Sequence, residues 1–355
     1  MNFKGKLALQ QRVLPSYRVP FFDLLANHCE GGMNLFAGLP RPVEMIAGGK
    51  TKVAKLTQAN NIHLFGGAFY LCYQQGFVNW LEETNPNALI VEANPRYLAT
   101  PAAVKWMHAR GRKVIGWGLG SPSPSGRGVG VRSHFINQFD AMLAYSQRGA
   151  EEYAALGFPR EKIFVAHNSV SPAPERPDDR PQTVDRATLL FVGRLQARKR
   201  IDSLLRACAE LRTNPRLIIV GDGPERLAME TLAKEIYPSA EFIGAKHGTE
   251  LKPYFAQADL FVLPGTGGLA VQEAMSHGLP VIVAKGDGTQ DDLVRKGNGW
   301  QIPPEDYAAL LAAMNNALSD MARLREMGKE SFRIVAEEIN IQTMADVFVE
   351  ALNSV

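Results

Sequence analysis

The stretch Leu260-Phe-Val-Leu-Pro-Gly-Thr-Gly-Gly-Leu-Ala-Val-Gln-Glu-Ala-Met-Ser-His-Gly-Leu-Pro-Val-Ile-Val283 reads as a strand, a glycine-rich loop, a helix and a second strand. Both strands are continuously apolar, the pattern of parallel strands covered on two faces rather than one. The loop Gly265-Thr-Gly-Gly-Leu-Ala270 feeds a helix start, where unpaired N–H groups and the positive end of the helix dipole face an anion. Glu273 lies about one helical turn further on, placed to accept hydrogen bonds from ribose hydroxyls.

Working outward, the same rhythm recurs on both sides. Upstream in this half come Thr188-Leu-Leu-Phe-Val192, Arg216-Leu-Ile-Ile-Val220 and Ala240-Glu-Phe-Ile243, with a helix of 3.6-residue period from Ile201, apolar at 201, 204, 205 and 208. The first half alternates likewise, with strands at Leu7-Ala-Leu9, Ile62-His-Leu-Phe65, Ala88-Leu-Ile-Val91, Lys113-Val-Ile-Gly116, Ala141-Met-Leu-Ala144 and Ile163-Phe-Val165. Between the halves lies Ser171-Pro-Ala-Pro-Glu-Arg-Pro-Asp-Asp-Arg-Pro-Gln182, whose prolines forbid helix or sheet and which reads as a linker. The expected organisation is α/β, with two Rossmann-like domains facing each other across a cleft: residues 1–170, a linker at 171–184, and residues 185–339. A final helix at 340–355 has no strand after it.

Composition excludes several classes. The chain has 355 residues, enough for two domains at roughly 150 each. It is 46% hydrophobic with a net charge of +3, too apolar and too near neutral for disorder. Cys29, Cys72 and Cys208 are odd in number and far apart, so neither a disulfide framework nor a metal spacing is present. No apolar run approaches the roughly 18 residues that cross a bilayer, and Met-Asn-Phe-Lys-Gly-Lys opens without a signal-peptide core. The reducing cytoplasm is the expected home. Residues 1–180 carry 20 basic against 13 acidic side chains, a balance that suits peripheral contact with the inner face of a membrane or simply a solvated surface.

Two motifs fail on inspection. Gly48-Gly-Lys-Thr51 ends like a phosphate-binding P-loop, but Glu44 stands where its first glycine belongs. Gly221-Asp-Gly-Pro-Glu-Arg226 follows a strand, yet Arg226 replaces the third glycine of the dinucleotide fingerprint. A pair that does fit is Gly193-Arg194 after Leu189-Leu-Phe-Val192, with Lys199 five residues on. An Arg fork and a Lys point charge beside a glycine suit a diphosphate.

Together, Phe191-Val-Gly-Arg-Leu-Gln-Ala-Arg-Lys199, Ile219-Val-Gly-Asp-Gly-Pro224, Leu263 to Val281 and Gly297-Asn-Gly299 resemble the second half of the family 4 GT-B glycosyltransferases over about residues 188 to 310. Ser146 to Asn168 fits the same family before the interdomain connection. The resemblance implies transfer of a sugar from a nucleotide-sugar, UDP- or GDP-linked, with retention and with neither metal nor cofactor. The acceptor would be a surface glycan or a lipid-linked saccharide, bound by the first domain, on which the last helix packs back; nucleic acid is not an expected partner. Arg194 and Lys199 match the diphosphate-binding pair and would stabilise the leaving phosphate. Gly193, Gly221, Gly265, Thr266, Gly267, Gly268, Leu269 and Ala270 would shape the donor site, Glu273 would hold the ribose, and Lys246 and His247 would meet the base.

The sequence departs from that family at three places. Gly265 stands where the first Glu of the paired-Glu motif belongs, Leu14-Pro-Ser-Tyr-Arg-Val-Pro20 replaces the glycine loop after the first strand, and Trp117-Gly-Leu-Gly-Ser121 replaces a His. Glu92, after the strand Leu89-Ile-Val91, is a candidate general base for inversion, a group that orients the acceptor hydroxyl, or a turn cap. Tyr17, Arg18, Asn94, Arg96, Trp117 and Arg127 are acceptor candidates, and the glycine-rich segment 116–131 is a candidate gate. Rival readings are a GT-B-fold nucleotide-sugar epimerase and a nucleotide-sugar binding protein without catalysis.

Overall fold

The computed structural model describes every residue except 45, 122–127, 177–179 and 182–184, and of residue 68 only the backbone. It divides into two compact units, Met1–Val170 with Ile341–Val355, and Ser171–Asn340.

The first unit is an eight-stranded sheet built from β1 (Leu7–Val13), β2 (Met33–Gly38), β3 (Lys55–Leu64), β4 (Leu71–Gln75), β5 (Ala88–Glu92), β6 (Lys113–Gly118), β7 (Ala141–Ala144) and β8 (Ile163–Val165). The spatial order is β4-β3-β2-β1-β5-β6-β7-β8, parallel throughout except for the antiparallel β3–β4 hairpin at one edge. Central strands such as β5 bury every apolar side chain, because helices cover both faces. On one face the helices Val19–Asn27 and Ile341–Ser354 meet, with Phe348 edge-on to both Phe21 and Trp117 at 5.0 Å. The other face is filled by Trp80, Trp106, Phe135 and Tyr153.

The second unit is a six-stranded parallel sheet of β9 (Thr188–Val192), β10 (Arg216–Val220), β11 (Glu241–Gly244), β12 (Leu260–Leu263), β13 (Val281–Ala284) and β14 (Gly299–Ile302), ordered β11-β10-β9-β12-β13-β14. This is the doubly wound Rossmann order, and the order of strand addition reverses between β9 and β12. Ligands in such sheets bind at the strand ends beside that reversal. In the first unit the corresponding place lies between β1 and β5.

The proline-rich segment expected to be a linker differs from that expectation. It is counted with the second unit, and Arg180 explains why: its guanidinium donates to the carbonyls of Phe255, Ala258 and His277 at 2.7–2.8 Å. Arg325 donates to the Pro181 carbonyl at 2.8 Å while its buried ion pair with Asp259 closes at 2.6 Å. Among the described residues of this segment none is in a helix or strand, and Arg180, reaching three carbonyls, ties it to the second unit.

Candidate functional site

In the second unit, loops after β9, β10 and β12 converge. Gly193 N–H donates to the Val220 carbonyl, Leu195 N–H to Asp222 and Glu225 N–H to Leu195, lacing the first two loops together. Their approach admits no side chain at Gly221: a Cβ there would lie 1.9 Å from the Gly193 oxygen. Arg194 follows directly, half-buried, at the end of the strand that flanks the reversal.

Lys199 ends a turn of 3-10 helix, Ala197–Lys199, and is only 6% exposed. Its Nζ donates to the carbonyls of Thr266 at 2.7 Å and of Gly267, and a Cβ at Gly268 would be 4.0 Å from it. The cation therefore sits against the glycine loop at the start of the helix Ala270–Ser276. Burial, and secondly the charge of Arg198, lower its pKa to about 8.

The loop is held by a second close approach. At Gly265 a Cβ would meet the Arg198 oxygen at 2.1 Å and the Lys199 Cα at 2.4 Å, and Thr266 N–H donates to that same Arg198 oxygen at 3.1 Å. This is the physical reason a glycine stands where the family's first Glu would be: backbone occupies the space. The Glu273 carboxylate, half-buried in the first turn of the helix, has no hydrogen-bond or ion-pair partner among the described residues, and burial raises its pKa. A carboxylate left in that state is an acceptor waiting for hydroxyl donors.

Lys246 and His247 follow β11, two strands from β9, and are engaged locally. Lys246 pairs with Glu250 at 3.1 Å, and the backbone N–H of His247 donates to the same carboxylate at 3.4 Å. Among the described residues no hydrogen bond or ion pair joins either to Lys199.

In the first unit the ends of β1 and β5 carry a polar network inside apolar surroundings. Glu92 accepts from Arg12 N–H at 2.7 Å, and its own N–H donates to Gln10 Oε1 at 3.1 Å. Gln10 bonds to Gln74, which donates to the Gln11 carbonyl and to Asn61. Burial pushes Glu92 up to about 7 against the pull of Arg12. Beside it, Arg12 and Arg41 both pair with Glu44 at 3.0 Å; burial opposes ionisation there, but the two arginines hold Glu44 down at about 2.

Two acceptor candidates are corrected. Trp117 is 1% exposed and packs among Phe21, Phe22 and Phe348, because its side of β6 faces the last helix; it presents no surface to a substrate. Arg18 is also buried, donating to the Ser169 carbonyl at 3.2 Å and to Asn168, with its guanidinium over Trp117 and Tyr145 at 5.5 and 5.6 Å. It pins the end of the first unit. Tyr17 is 46% exposed, Asn94 caps its own turn by accepting from Arg96 N–H, and the Arg96 side chain is exposed. Arg127, with residues 122–126 of the expected gate, lies outside the described residues.

Sequence reasoning missed Arg12, Gln10 and Gln74, although Gln10-Gln-Arg12 inside an otherwise apolar strand is a readable signal. It also missed the role of Gly48-Gly49. Pro15 bridges to Gly48, Ser16 N–H donates to Ala47 and Gly49 N–H to Leu14, so a glycine pair does flank the loop after β1, supplied from further along the chain.

Two Rossmann-like α/β units with loops at their switch points are the fold class of the GT-B proteins. Residues 174–333, which lie within the second unit, match the family model of glycosyl transferases group 1. The chain is 38% identical over 141 residues, 39% of its length, to a GDP-mannose-dependent alpha-mannosyltransferase of Corynebacterium glutamicum, of which that match covers 32%. Across the curated relatives the match covers 32 to 55% of their own length. Over nearly whole chains the fold is similar to the lipopolysaccharide outer core galactosyltransferase WaaB (TM-score 0.69, 19% identity, 98% of this chain and 99% of that one). It is likewise similar to Anabaena Alr3699/HepE in complex with UDP (TM-score 0.73, 16% identity, 100% of both). Among the described residues no helix is long and apolar enough to cross a membrane.

Proposed function

We propose that this protein is a glycosyltransferase whose second unit binds a nucleoside diphosphate sugar and whose first unit binds the acceptor, a glycan or a lipid-linked saccharide. The observation that carries the donor half is the buried Lys199 ammonium at the switch point, against a glycine loop that opens a helix, with the partnerless Glu273 carboxylate one turn away. GDP-mannose is the first donor to test, since a GDP-mannose-dependent alpha-mannosyltransferase is 38% identical over 141 residues, and a UDP-sugar is the second.

Cleavage of the anomeric C–O bond leaves negative charge on the diphosphate. Arg194 and Lys199 meet that charge in a site of low dielectric, where fixed cations act most strongly, and no metal is needed for the task. Glu273 orients the ribose. In the first unit Glu92, with a pKa near neutrality, receives the proton of the acceptor hydroxyl or orients that hydroxyl as the new bond to the anomeric carbon forms.

Titration calorimetry with GDP, UDP, ADP and their sugars tests the donor half. One diphosphate is expected to bind, with Arg194→Ala weakening it about 10- to 100-fold, the worth of a charge-assisted hydrogen bond. Equal loss of folding and binding in that variant would refute the assignment. A non-catalytic nucleotide-sugar binder is the second reading, favoured by the absence of room for a Glu at position 265. Slow donor hydrolysis in water decides between them: release of free sugar supports the transferase, and tight binding without release supports the binder.

A further inference from the structure

Large apolar side chains stand exposed almost wholly in the first unit, and they concentrate on one edge. Leu39 and Val43 lie before β3, Ile62 and Leu64 end it, and Phe65 and Phe69, at 74% and 81% exposed, occupy the hairpin tip between β3 and β4. The antiparallel register pairs Ile62 with Tyr73 and Leu64 with Leu71. Cross-strand partners share a face, so these four form an apolar strip that runs into the aromatic tip. Phe65 has a φ of 59°, a conformation a bulky residue adopts at a cost of about 1 kcal/mol where Asn or Gly would turn freely. Turn chemistry therefore does not account for an aromatic ring there. Phe65, Phe69, Tyr70 and Leu71 line an open pocket of about 580 Å³, with Arg96 on its wall.

From Gly31 to Leu81 the chain carries a single acid, Glu44, against Arg41, Lys50, Lys52 and Lys55, and Glu44 is already paired with Arg12 and Arg41. The three lysines stand at the far end of β3, beside Asp23, and the cations at the tip itself are Arg41 and Arg96. Arg41 lies over the Tyr70 ring at 4.8 Å, so a cation borders the apolar tip directly.

We propose that the β3–β4 hairpin is a membrane-docking element that inserts Phe65 and Phe69 into an anionic lipid surface while the flanking cations meet the headgroups. Aromatic side chains with adjacent Lys and Arg are the combination that an anionic bilayer interface favours. A second copy fits less well, because a two-fold contact through this edge sets its excess cations against themselves. The element stands apart from the transferase reading, since docking needs no donor.

The test is sedimentation of the full chain with vesicles of phosphatidylcholine, alone and mixed with phosphatidylglycerol. Binding is expected only to the mixed vesicles and weakens with added salt. Phe65→Ser/Phe69→Ser is expected to lower the partition at least about tenfold, the equivalent of one partly buried aromatic, and Arg96→Ala lowers it severalfold. Both variants keep the native melting temperature and the nucleotide response of the second unit, so a failed donor assignment and a failed docking element are told apart. The proposal is overturned if the native chain leaves mixed vesicles in solution, if neutral vesicles bind it equally, or if the double variant binds as the native chain does. A concentration-dependent dimer abolished by the double variant would overturn it in favour of self-association.

Discussion

Replacing Gly265 by Ala tests whether the donor loop is built around a missing side chain. The added Cβ would lie 2.1 Å from the Arg198 oxygen and 2.4 Å from the Lys199 Cα, both backbone atoms, against ordinary contacts beyond 3.4 Å. Loop and turn must part by more than about 1 Å, which breaks the Thr266 N–H bond to Arg198 and draws the Thr266 and Gly267 carbonyls off the Lys199 ammonium. Overpacking costs about 1–3 kcal/mol and a charge-assisted bond about 1.5–3 kcal/mol, so with partial relaxation the sum is about 2–4 kcal/mol. For a unit of this size that is a fall of about 5–15 °C in Tm. Nucleotide binding should weaken at least about tenfold because Lys199 has moved. Gly130→Ala, in the helix Val129–Ile136 with open space around it, is the control and should be neutral or slightly stabilising. Gly265→Glu, which restores the family's carboxylate, should be worse than Gly265→Ala in both assays. A Gly265→Ala protein that melts within a degree of the native chain and binds nucleotide normally would refute the packing explanation.

Lys199, with its pKa lowered to about 8, should take up a proton when a diphosphate binds above that pH; calorimetry in two buffers of different ionisation enthalpy should show the uptake, and Lys199→Met should abolish it. Glu92, raised from 4.5 to about 7, binds its proton more tightly folded than unfolded, so its contribution to stability is full below about pH 4.5 and is lost as pH rises through about 7; urea melts across that window should show a slope that Glu92→Gln flattens. Arg180→Ala should destabilise the second unit by about 2–4 kcal/mol by stranding three carbonyls, measured as a lower urea midpoint at unchanged nucleotide affinity below it.

The second unit was legible because its signals are local. Apolar runs four or five residues long define each strand, and Gly193-Arg194 and Gly265 to Ala270 lie immediately after two of them, so adjacency in sequence already puts the site residues at strand ends. The first unit was legible in its alternation of strands and helices but not in its chemistry. The network around Glu92 joins β1, β4 and β5 through Gln10, Gln74 and Arg12 by hydrogen bonds between residues 64 to 82 apart, and no spacing rule relates them. Trp117 was misread for the opposite reason. Its glycine-rich neighbours suggested a loop, yet β6 continues to Gly118, and strand alternation turns the indole toward the helix Ile341–Ser354.

The glycines show how far local rules reach. Gly48-Gly49 was set aside because Glu44 breaks the P-loop spacing, and the leader after β1 was found to lack the family's glycines. Each observation is correct, and together they describe one device: the backbone after β1 is approached by a glycine pair that arrives from beyond β2, bridged at Pro15 and Gly48. A Cβ at Gly49 would collide with Val19 at 2.4 Å, so the helix from Val19 and the glycine pair are packed against each other as a unit. Lys52, Val53 and Ala54 then donate their N–H groups to Asp23 on that same helix, fixing the approach from the other side. Close backbone approach at a switch point is thus a requirement of the geometry, and the chain meets it from a place in the sequence that a motif search over contiguous residues does not reach.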